Sequence, residues 1–295
     1  MPNFIDLKEL TTEDLIKIIS LSIKWKSKAA PKFMKDKQAV LIFEKPSLRT
    51  RISFEVGINQ LGGNSNILNE KEMQLGQRET IEDTARVLER YADMIIIRCF
   101  GHNQMINFAN ISNVPVVNAL TDHSHPCQVV ADLVTIKEHL IDFKNKKIAW
   151  FGDCNNVLQS WIEASVLLDF ELNIACPEGM SPQQETMTWA IEKNNKIKIM
   201  HDPYLAADGA NCIITDTWTS MGDKKISPEN IFLPYQVNEN IMSLADKNAI
   251  FMHCLPAYRG KEVSKEVFEG IQSVVFDEAE NRLHAQKAIM HYCLS

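Results

Sequence analysis

Phe43-Glu44-Lys45-Pro46-Ser47-Leu48-Arg49-Thr50-Arg51-Ile52-Ser53-Phe54-Glu55 is the stretch from which the fold can be read. The apolar run that leads into it, residues 39–43, is short and sharply bounded, as expected of a buried strand. The apolar residues that continue it end at Gly62-Gly63, which is typical of a helix stopped by glycine. The polar residues of this stretch therefore lie where a strand gives way to a helix N-terminus.

That position favours an anion, because the first N–H groups of a helix are unpaired and carry the positive end of its dipole. Ser47, Arg49, Thr50 and Arg51 add two hydroxyl and two guanidinium groups, which suit a phosphate. On this stretch alone, a solvated basic turn with Ser47 as a helix cap is an equal alternative.

Length and charge restrict the class of protein. The chain has 295 residues, which fits two domains of middling size, and 45% hydrophobic residues are ample for packed cores. The net charge of −7, with no compensating basic block, argues against nucleic acid as a partner. An anionic substrate must therefore be attracted by a local basic cluster.

Cysteine usage and the N-terminus predict a cytoplasmic protein with no membrane partner. The seven cysteines are an odd number without a Cys-x-x-Cys pair, which favours reduced thiols. The opening residues 1–6 lack the features of a signal peptide, and no apolar run approaches the ~20 residues of a membrane span.

Strands alternate with helices along the chain, which predicts parallel sheets. A polar break at residues 142–147 separates two such series. We therefore expect an α/β fold of two consecutive domains, each a parallel sheet flanked by helices, with the active site in the cleft between them. The expected boundaries are residues 1–140, residues 141–275, and a C-terminal helix over residues 276–295 that returns to the first domain. The strand candidates are 39–43, 66–68, 94–97, 114–120, 148–151, 172–176, 212–216 and 249–253.

Polar residues follow the predicted strands in both halves, at the edge where parallel sheets bind ligands. They are Ser47, Arg49, Thr50, Arg98, His125, Gln128, Asn155, Asn156, Asp216, His253 and Cys254.

Four of these residues also have simpler interpretations. Arg98 could be a snorkelling strand terminus, and His125 could be a helix-entry residue, with His123 equally eligible on composition. Asp216 could cap a helix or grip an ammonium group. Cys254 could be a nucleophile, although a contact role is favoured over a covalent one.

No cofactor is expected. Gly152-Asp153-Cys154-Asn155-Asn156 follows a strand, but the second glycine of a dinucleotide fingerprint is replaced by Cys154 and no later glycine completes it. The eight histidines have no metal-ligand spacing such as His-x-x-x-His, so no metal is expected either.

Five motifs, in order, resemble those of the aspartate/ornithine carbamoyltransferase family, and of its ornithine-specific branch most closely. Ser47-Leu48-Arg49-Thr50-Arg51 resembles the family's Ser-Thr-Arg-Thr-Arg phosphate loop, and His125-Pro126-Cys127-Gln128 its His-Pro-Cys-Gln turn. Asp216 to Gly222 resembles the ornithine-binding Asp-x-x-x-Ser-Met-Gly motif. His253-Cys254-Leu255-Pro256 and Glu280-Asn281-Arg282 resemble the two C-terminal motifs. The resemblance covers nearly the whole chain.

The resemblance implies site residues for two substrates, carbamoyl phosphate and L-ornithine. The first domain would bind carbamoyl phosphate and the second ornithine. Carbamoyl phosphate would contact Ser47, Leu48, Arg49, Thr50, Gln74, Arg98, His125, Pro126, Cys127, Gln128, Cys254, Leu255 and Arg282. Ornithine would contact Asn156, Asp216, Ser220 and Met221. The implied catalytic residues are Arg49, Arg98, His125, Cys254 and Arg282.

The implied reaction is acyl transfer through a tetrahedral intermediate, which gives citrulline and phosphate. Members with this pattern are built on trimers, so a homotrimer or a multiple of trimers is expected, with the phosphate site close to a subunit interface. The expected setting is arginine biosynthesis, although synthesis and breakdown of arginine would use the same site.

One position departs from the family pattern, and alternatives remain. Leu48 replaces a threonine of the phosphate loop, so this position can offer a backbone N–H but no hydroxyl. Other acceptors, namely acyl-ornithine, putrescine or aspartate, are disfavoured by the segment from Asp216 to Gly222. A non-catalytic, anion-sensing subunit is disfavoured because the basic residues and His125 are all present.

Overall fold

The structure is a computed structural model that describes residues 1–69, 75–77, 79–193, 196–218 and 229–295. By its internal contacts the chain divides into two compact units. The first unit comprises residues 1–134 and 280–295, and the second comprises residues 135–279. Within the described ranges, no helix combines the length and apolar character needed to cross a lipid bilayer.

Helices and strands alternate along the described residues. The strands are β1 (Gln38–Phe43), β2 (Asn64–Asn69), β3 (Met94–Arg98), β4 (Val116–Leu120), β5 (Lys147–Phe151), β6 (Glu171–Ala175), β7 (Ile197–Met200), β8 (Cys212–Thr215) and β9 (Ile250–His253). The α-helices are α1 (Thr12–Ser27), α2 (Leu48–Gln60), α3 (Ile81–Leu88), α4 (His102–Ile111), α5 (Pro126–Leu140), α6 (Asn156–Leu168), α7 (Gln184–Lys193), α8 (Pro203–Ala207), α9 (Glu239–Leu244), α10 (Lys265–Phe268) and α11 (Val275–Leu294). Short 3-10 helices span Leu7–Glu9 and Glu229–Tyr235.

The first unit is built on a parallel sheet with the strand order β2-β1-β3-β4. The chain moves outward from β1 in one direction to β2 and in the other to β3. The switch point of the sheet therefore lies between β1 and β3, where a doubly wound sheet binds its ligand. β1 and β3 are almost entirely buried because nearly every residue of both is apolar.

The last helix, α11, completes the first unit with residues from Glu280 onward. Lys287 Nζ donates to Gln60 Oε1 at 2.9 Å and to the Trp25 carbonyl at 3.4 Å. α11 therefore contacts both α1 and α2. These contacts place Arg282, near the end of the sequence, within the same unit as the first strand.

The second unit has a parallel sheet with the order β7-β6-β5-β8-β9. Its switch point lies between β5 and β8. A core cluster on this sheet includes Phe151, Ile213, Phe251 and Val275.

The predicted fold class is confirmed: each unit holds a parallel sheet flanked by helices. The strand β7 was not predicted, because it lies at a sheet edge and has only one buried residue among its four positions. The sequence pattern predicts a helix from about Asn156 to Leu168, and α6 spans these residues. All seven cysteines are free thiols, and five of them are buried.

Candidate active site

The N-terminus of α2 lies at the switch point of the first sheet, directly after β1. Ser47 adopts extended backbone with φ −158°, and its hydroxyl accepts the backbone N–H of Thr50 at 3.3 Å. Ser47 is therefore the helix cap. Leu48, the first helical residue, has a side chain that is 74% exposed, so it offers this site only its backbone N–H. Arg49 is half-buried in the same turn.

Two guanidinium groups converge on the Thr50 hydroxyl. Arg98 Nη1, at the end of β3, donates to Thr50 Oγ1 at 3.3 Å, and Arg282 Nη2, on α11, donates at 2.8 Å. Thr50 is only 1% exposed. A hydroxyl that already accepts two charged donors holds both cations in place beside the helix N-terminus.

Gln128 extends this arrangement along α5. Arg282 Nη1 donates to Gln128 Oε1 at 2.6 Å, and Gln128 Nε2 donates to Asp132 Oδ1 at 2.7 Å. The amide of Gln128 is thereby oriented at both ends. Asp132 was not predicted as a site residue; its position one helical turn after Gln128 is the signal that could have indicated it.

His125 is buried beside these arginines, just before Pro126 begins α5. Burial, then the positive charges of Arg282 and Arg98, lower the pKa of His125 well below its usual value of 6.5. The imidazole is therefore neutral near pH 7. A neutral ring can donate one N–H to a carbonyl oxygen without adding charge to an already cationic site.

The side chain of Cys127, in the same His-Pro-Cys-Gln motif as His125, is directed at the backbone of β4. Its thiol donates to the Asn118 carbonyl at 3.2 Å, and burial raises its pKa to about 12. This thiol stays protonated and contributes to the core of the first unit.

A cavity of about 700 Å³ lies beside the start of α2. Its lining residues are Phe43, Lys45, Pro46, Ser47, Leu48, Arg51, Ile52 and Asn69.

In the second unit, the carboxylate of Asp216 follows β8 at the switch point of that sheet. Asn155 Nδ2 donates to Asp216 Oδ2 at 2.7 Å, and the Thr217 backbone N–H donates to Oδ1 at 2.7 Å. The Cys254 thiol donates to the same Oδ1 at 3.1 Å. Asp216 is 8% exposed, so these donors compensate for much of the cost of burying its charge.

Asn155 both caps α6 and fixes Asp216. Its side-chain oxygen accepts the N–H groups of Val157 at 2.9 Å and Leu158 at 3.2 Å. The sequence analysis placed both Asn155 and Asn156 at this edge, whereas the family resemblance assigned ornithine to Asn156 alone. The structure places Asn156 as the first, half-buried residue of α6 and pairs Asn155 with Asp216.

The loop after β9 is held by buried His253. Leu255 N–H donates to His253 Nδ1 at 2.9 Å, so Nδ1 is unprotonated and Nε2 donates to Glu262 Oε1 at 3.2 Å. This bond fixes Leu255 at φ +59°, in the left-handed region, and aims Cys254 at Asp216. Glu262 was not predicted, because nothing local in the sequence marks it as a partner of His253.

The predicted site residues therefore fall into two groups. Thr50, Arg98, His125, Gln128 and Arg282 are brought together in the first unit, whereas Cys254 and Leu255 lie with Asp216 in the second. Gln74, Ser220 and Met221 lie outside the described residues.

Two family models match the chain. One is described as the aspartate/ornithine carbamoyltransferase carbamoyl-P binding domain and matches residues 2–138. The other is described as the Asp/Orn binding domain of the same family and matches residues 144–293.

Relatives of known name match over nearly the full length. The ornithine carbamoyltransferase of Brucella ovis is 50% identical over 297 residues, 99% of this chain and 95% of the relative. That of Rhodopseudomonas palustris is 51% identical over 298 residues, 99% of this chain and 96% of the relative. Among solved structures, the ornithine carbamoyltransferase of Pyrococcus furiosus superposes with a TM-score of 0.94 at 40% identity, covering 98% of this chain and 96% of its own. The anabolic ornithine carbamoyltransferase of Campylobacter jejuni superposes with a TM-score of 0.95 at 38% identity, covering 99% of each chain.

Proposed function

The chain belongs to the aspartate/ornithine carbamoyltransferase family, and we propose that it transfers the carbamoyl group of carbamoyl phosphate to the δ-amine of L-ornithine, which gives L-citrulline and phosphate. The observation that carries the proposal is the pair of guanidinium groups on Thr50 beside a neutral imidazole. Such a site offers fixed positive charge to a phosphate and a neutral donor to a carbonyl oxygen.

Carbamoyl phosphate binds to the first unit in this proposal. Its phosphate is held at the N-terminus of α2 by Ser47, by the backbone N–H of Leu48 and by the side chain of Arg49. Arg98 and Thr50 lie between phosphate and carbonyl, whereas His125, Gln128 and Arg282 orient the carbamoyl group. Gln74, Pro126, Cys127, Cys254 and Leu255 complete the proposed set.

The chemistry follows from where charge develops. Attack by the neutral δ-nitrogen on the carbonyl carbon produces an oxyanion, which His125, Arg98 and Thr50 stabilise. Collapse of the tetrahedral intermediate breaks the bond from the carbonyl carbon to the phosphate oxygen, and the proton that the attacking nitrogen loses balances the release of phosphate as hydrogen phosphate. Arg49 and the helix N-terminus offset the charge of this leaving group. Because the donors are already held by Gln128 and Thr50, little reorganisation is needed during the reaction.

Ornithine binds to the second unit. The carboxylate of Asp216 is held by hydrogen bonds from Asn155, Thr217 and Cys254. This carboxylate supplies the negative charge that the free α-ammonium group of ornithine requires. Asn156, Ser220 and Met221 complete the proposed contacts. An N-acylated ornithine has no α-ammonium to pair with Asp216.

The first test compares acceptors. The protein is incubated with carbamoyl phosphate and, side by side, ornithine, N-acetylornithine, putrescine and aspartate, and each carbamoylated product is measured. Turnover confined to ornithine is the expected result. Turnover with another amine would overturn the assignment of ornithine as the acceptor. Binding of carbamoyl phosphate without turnover of any acceptor would overturn the proposal that the protein is an enzyme.

The second test separates the two binding tasks. We expect Asp216→Ala to lose ornithine binding and keep carbamoyl phosphate binding, and Arg49→Ala to lose carbamoyl phosphate binding with its circular dichroism unchanged. Arg86→Ala is the matched control for Arg49→Ala, since Arg86 is an exposed helical arginine on α3 and is assigned to neither substrate. Equal loss of both ligands in Asp216→Ala would contradict the assignment of ornithine to Asp216. Full affinity for carbamoyl phosphate in Arg49→Ala would contradict the assignment of that substrate to Arg49.

We further propose a homotrimer, or a multiple of trimers, working in arginine biosynthesis in the cytoplasm. α2 supports the assembly, because Leu48, Ile52 and Val56 form an exposed apolar stripe at i, i+4 spacing beside the 700 Å³ cavity. Ile52→Lys should dissociate the assembly in analytical ultracentrifugation, whereas a monomeric wild-type protein would rule it out.

A further inference from the structure

A second cluster of chemically active side chains lies in the first unit and includes none of the residues assigned to substrates. It consists of Asp6, His102 and His123, whose possible ligand atoms all lie within 4.8 Å of one another. We propose that these three residues bind a divalent first-row transition metal ion of the Zn²⁺ class.

The fold brings the three residues together from distant positions. Asp6 follows a segment that pairs with β4: the Phe4 N–H donates to the Val116 carbonyl at 2.9 Å, and the Asn118 N–H donates to the Phe4 carbonyl at 2.8 Å. His102 is the first residue of α4, and His123 lies in the turn between β4 and α5. Each residue is thus attached to a regular element.

Asp6 is prepared as an anionic ligand. It is 2% exposed, and it accepts hydrogen bonds from Ser124 Oγ at 2.5 Å and faces His102 Nε2 at 3.2 Å. Oδ1 of the carboxylate is held by the Ser124 hydroxyl, and Oδ2 is directed at the ring of His102, one of the two proposed histidine ligands.

One hydroxyl orients both imidazole-bearing segments. Thr121 Oγ1 lies 2.9 Å from His102 Nδ1 and accepts the backbone N–H groups of His123 and Ser124, each at 3.3 Å. The His102 and His123 rings lie with their centroids 4.3 Å apart. Holding the remote nitrogen of a ligating histidine in this way is the usual outer-shell arrangement of a metal site.

The donor set selects the kind of ion. Two imidazole nitrogens and one carboxylate oxygen suit Zn²⁺, Co²⁺ or Ni²⁺, whereas Mg²⁺ and Ca²⁺ prefer oxygen ligands throughout. Three protein ligands leave a coordination position for water. The side chain of His102 is 13% exposed, so the site is reached from solvent.

A second group of possible ligands, Asp216, His253 and Cys254, makes a weaker case. Both ring nitrogens of His253 are already engaged, one by the Leu255 N–H at 2.9 Å and one with Glu262 at 3.2 Å. A metal there would have to take His253 away from Glu262, which is not one of the possible ligands. In the first cluster the carboxylate that pairs with His102 is Asp6, itself a proposed ligand, so the cluster around Asp6 is the favoured site.

Binding would join the N-terminal segment, the start of α4 and the turn that leads into His125. Because the ion binds only when these segments are assembled, it should stabilise the folded state by RT ln(1 + M/Kd), where M is the free ion concentration and Kd its dissociation constant. This consequence does not depend on the proposed function.

The experiment titrates the full-length, chelator-treated protein with Zn²⁺ by calorimetry and thermal unfolding, and with Co²⁺ by absorption spectroscopy. His123→Asn tests the site, because His123 is half-buried and its loss should leave the fold intact. His139→Asn is the matched control: His139 also faces a carboxylate, Asp277, at 2.9 Å, but it belongs to neither ligand group.

The expected result is binding of one ion that raises the unfolding temperature in the wild type and in His139→Asn. In His123→Asn the affinity should fall by at least roughly 10- to 100-fold, and the thermal shift should disappear. Thiolate-to-cobalt charge-transfer absorption, equal affinity in His123→Asn, or no binding in the wild type would each overturn the proposal.

Discussion

The hydroxyl of Thr50 positions two arginine side chains from distant parts of the sequence. Its hydroxyl accepts from Arg98 and Arg282, residues 48 and 232 positions away in the sequence. The predicted role of Thr50 as a phosphate-loop residue rests on its motif, whereas its role in holding two cations depends on the fold. A serine could replace it as an acceptor, but a valine of similar size could not.

Thr50→Val should therefore lower kcat/KM for carbamoyl phosphate. Removing the shared acceptor of buried Arg282 and half-buried Arg98 costs about 1–3 kcal/mol, which corresponds to a roughly 5- to 150-fold loss. Steady-state kinetics measure it. Thr188→Val is the control, because the exposed Thr188 hydroxyl bonds only within α7, to the Gln184 carbonyl at 2.9 Å. Equal kinetics for both variants would contradict the role of Thr50.

His125 makes the stability of the folded chain depend on pH. Its pKa lies well below 6.5 because of burial and then Arg282 and Arg98. Below about pH 6.5 the unfolded chain takes up a proton that the folded chain refuses, so acid favours unfolding. Where this difference is complete, the group lowers the unfolding free energy by roughly 1.4 kcal/mol per pH unit.

The His125→Gln variant should show a shallower fall in unfolding free energy between about pH 7 and about pH 5. Urea denaturation across that range gives the slope. His284 and His291, whose pKa values are lowered chiefly by burial, leave part of the slope in both proteins. An unchanged slope would show that His125 takes up its proton equally in both states.

At the scale of elements, helix N-termini at the two switch points carry the candidate site. α2 follows β1 and α6 follows β5, and each begins with a side-chain cap, Ser47 in one case and Asn155 in the other. The short polar turns after buried strands predicted both helices. The edge strand β7 escaped prediction, since its residues carry no continuous apolar run.

Two caps of the first unit allow a matched comparison. Ser47 accepts the Thr50 N–H at 3.3 Å, and Thr80 accepts the Asp83 N–H at 3.0 Å at the start of α3. Ser47→Ala and Thr80→Ala should each cost about 0.5–2 kcal/mol of stability. Only Ser47→Ala should also raise KM for carbamoyl phosphate, as measured by kinetics and urea denaturation. A similar rise in Thr80→Ala would assign the effect to stability alone.

At the scale of the whole chain, α11 joins the last residues of the sequence to the first unit. Lys287 is 3% exposed, and burial lowers its pKa. Its amine reaches Gln60 and the Trp25 carbonyl. A buried lysine held by two acceptors fixes the helix that carries Arg282, so a stability contact and a site contact depend on the same element.

Lys287→Met should destabilise the protein by about 1–3 kcal/mol, because it removes the hydrogen bonds of a buried ammonium group to the Trp25 carbonyl and to the side chain of exposed Gln60. The double variant Lys287→Met/Gln60→Leu should lose less than the sum of the two single variants, since both substitutions remove the same bond. Urea denaturation of the wild type, both single variants and the double variant gives the four unfolding free energies of this double-mutant cycle. Losses that simply add would mean that the two side chains do not interact.

The sequence by itself determined the two parallel sheets, the polar turn after the first strand and the family motifs, because each depends on residues adjacent in the chain. Only the tertiary structure decided the convergence of Arg98 and Arg282 on Thr50, the pairing of Asn155 with Asp216 and the grouping of Asp6 with His102 and His123. The spacing of the histidines along the chain predicted no metal site, because whole strands and helices separate Asp6, His102 and His123 in the sequence. Contacts between distant residues depend on how the elements fold together, and local patterns do not record that arrangement.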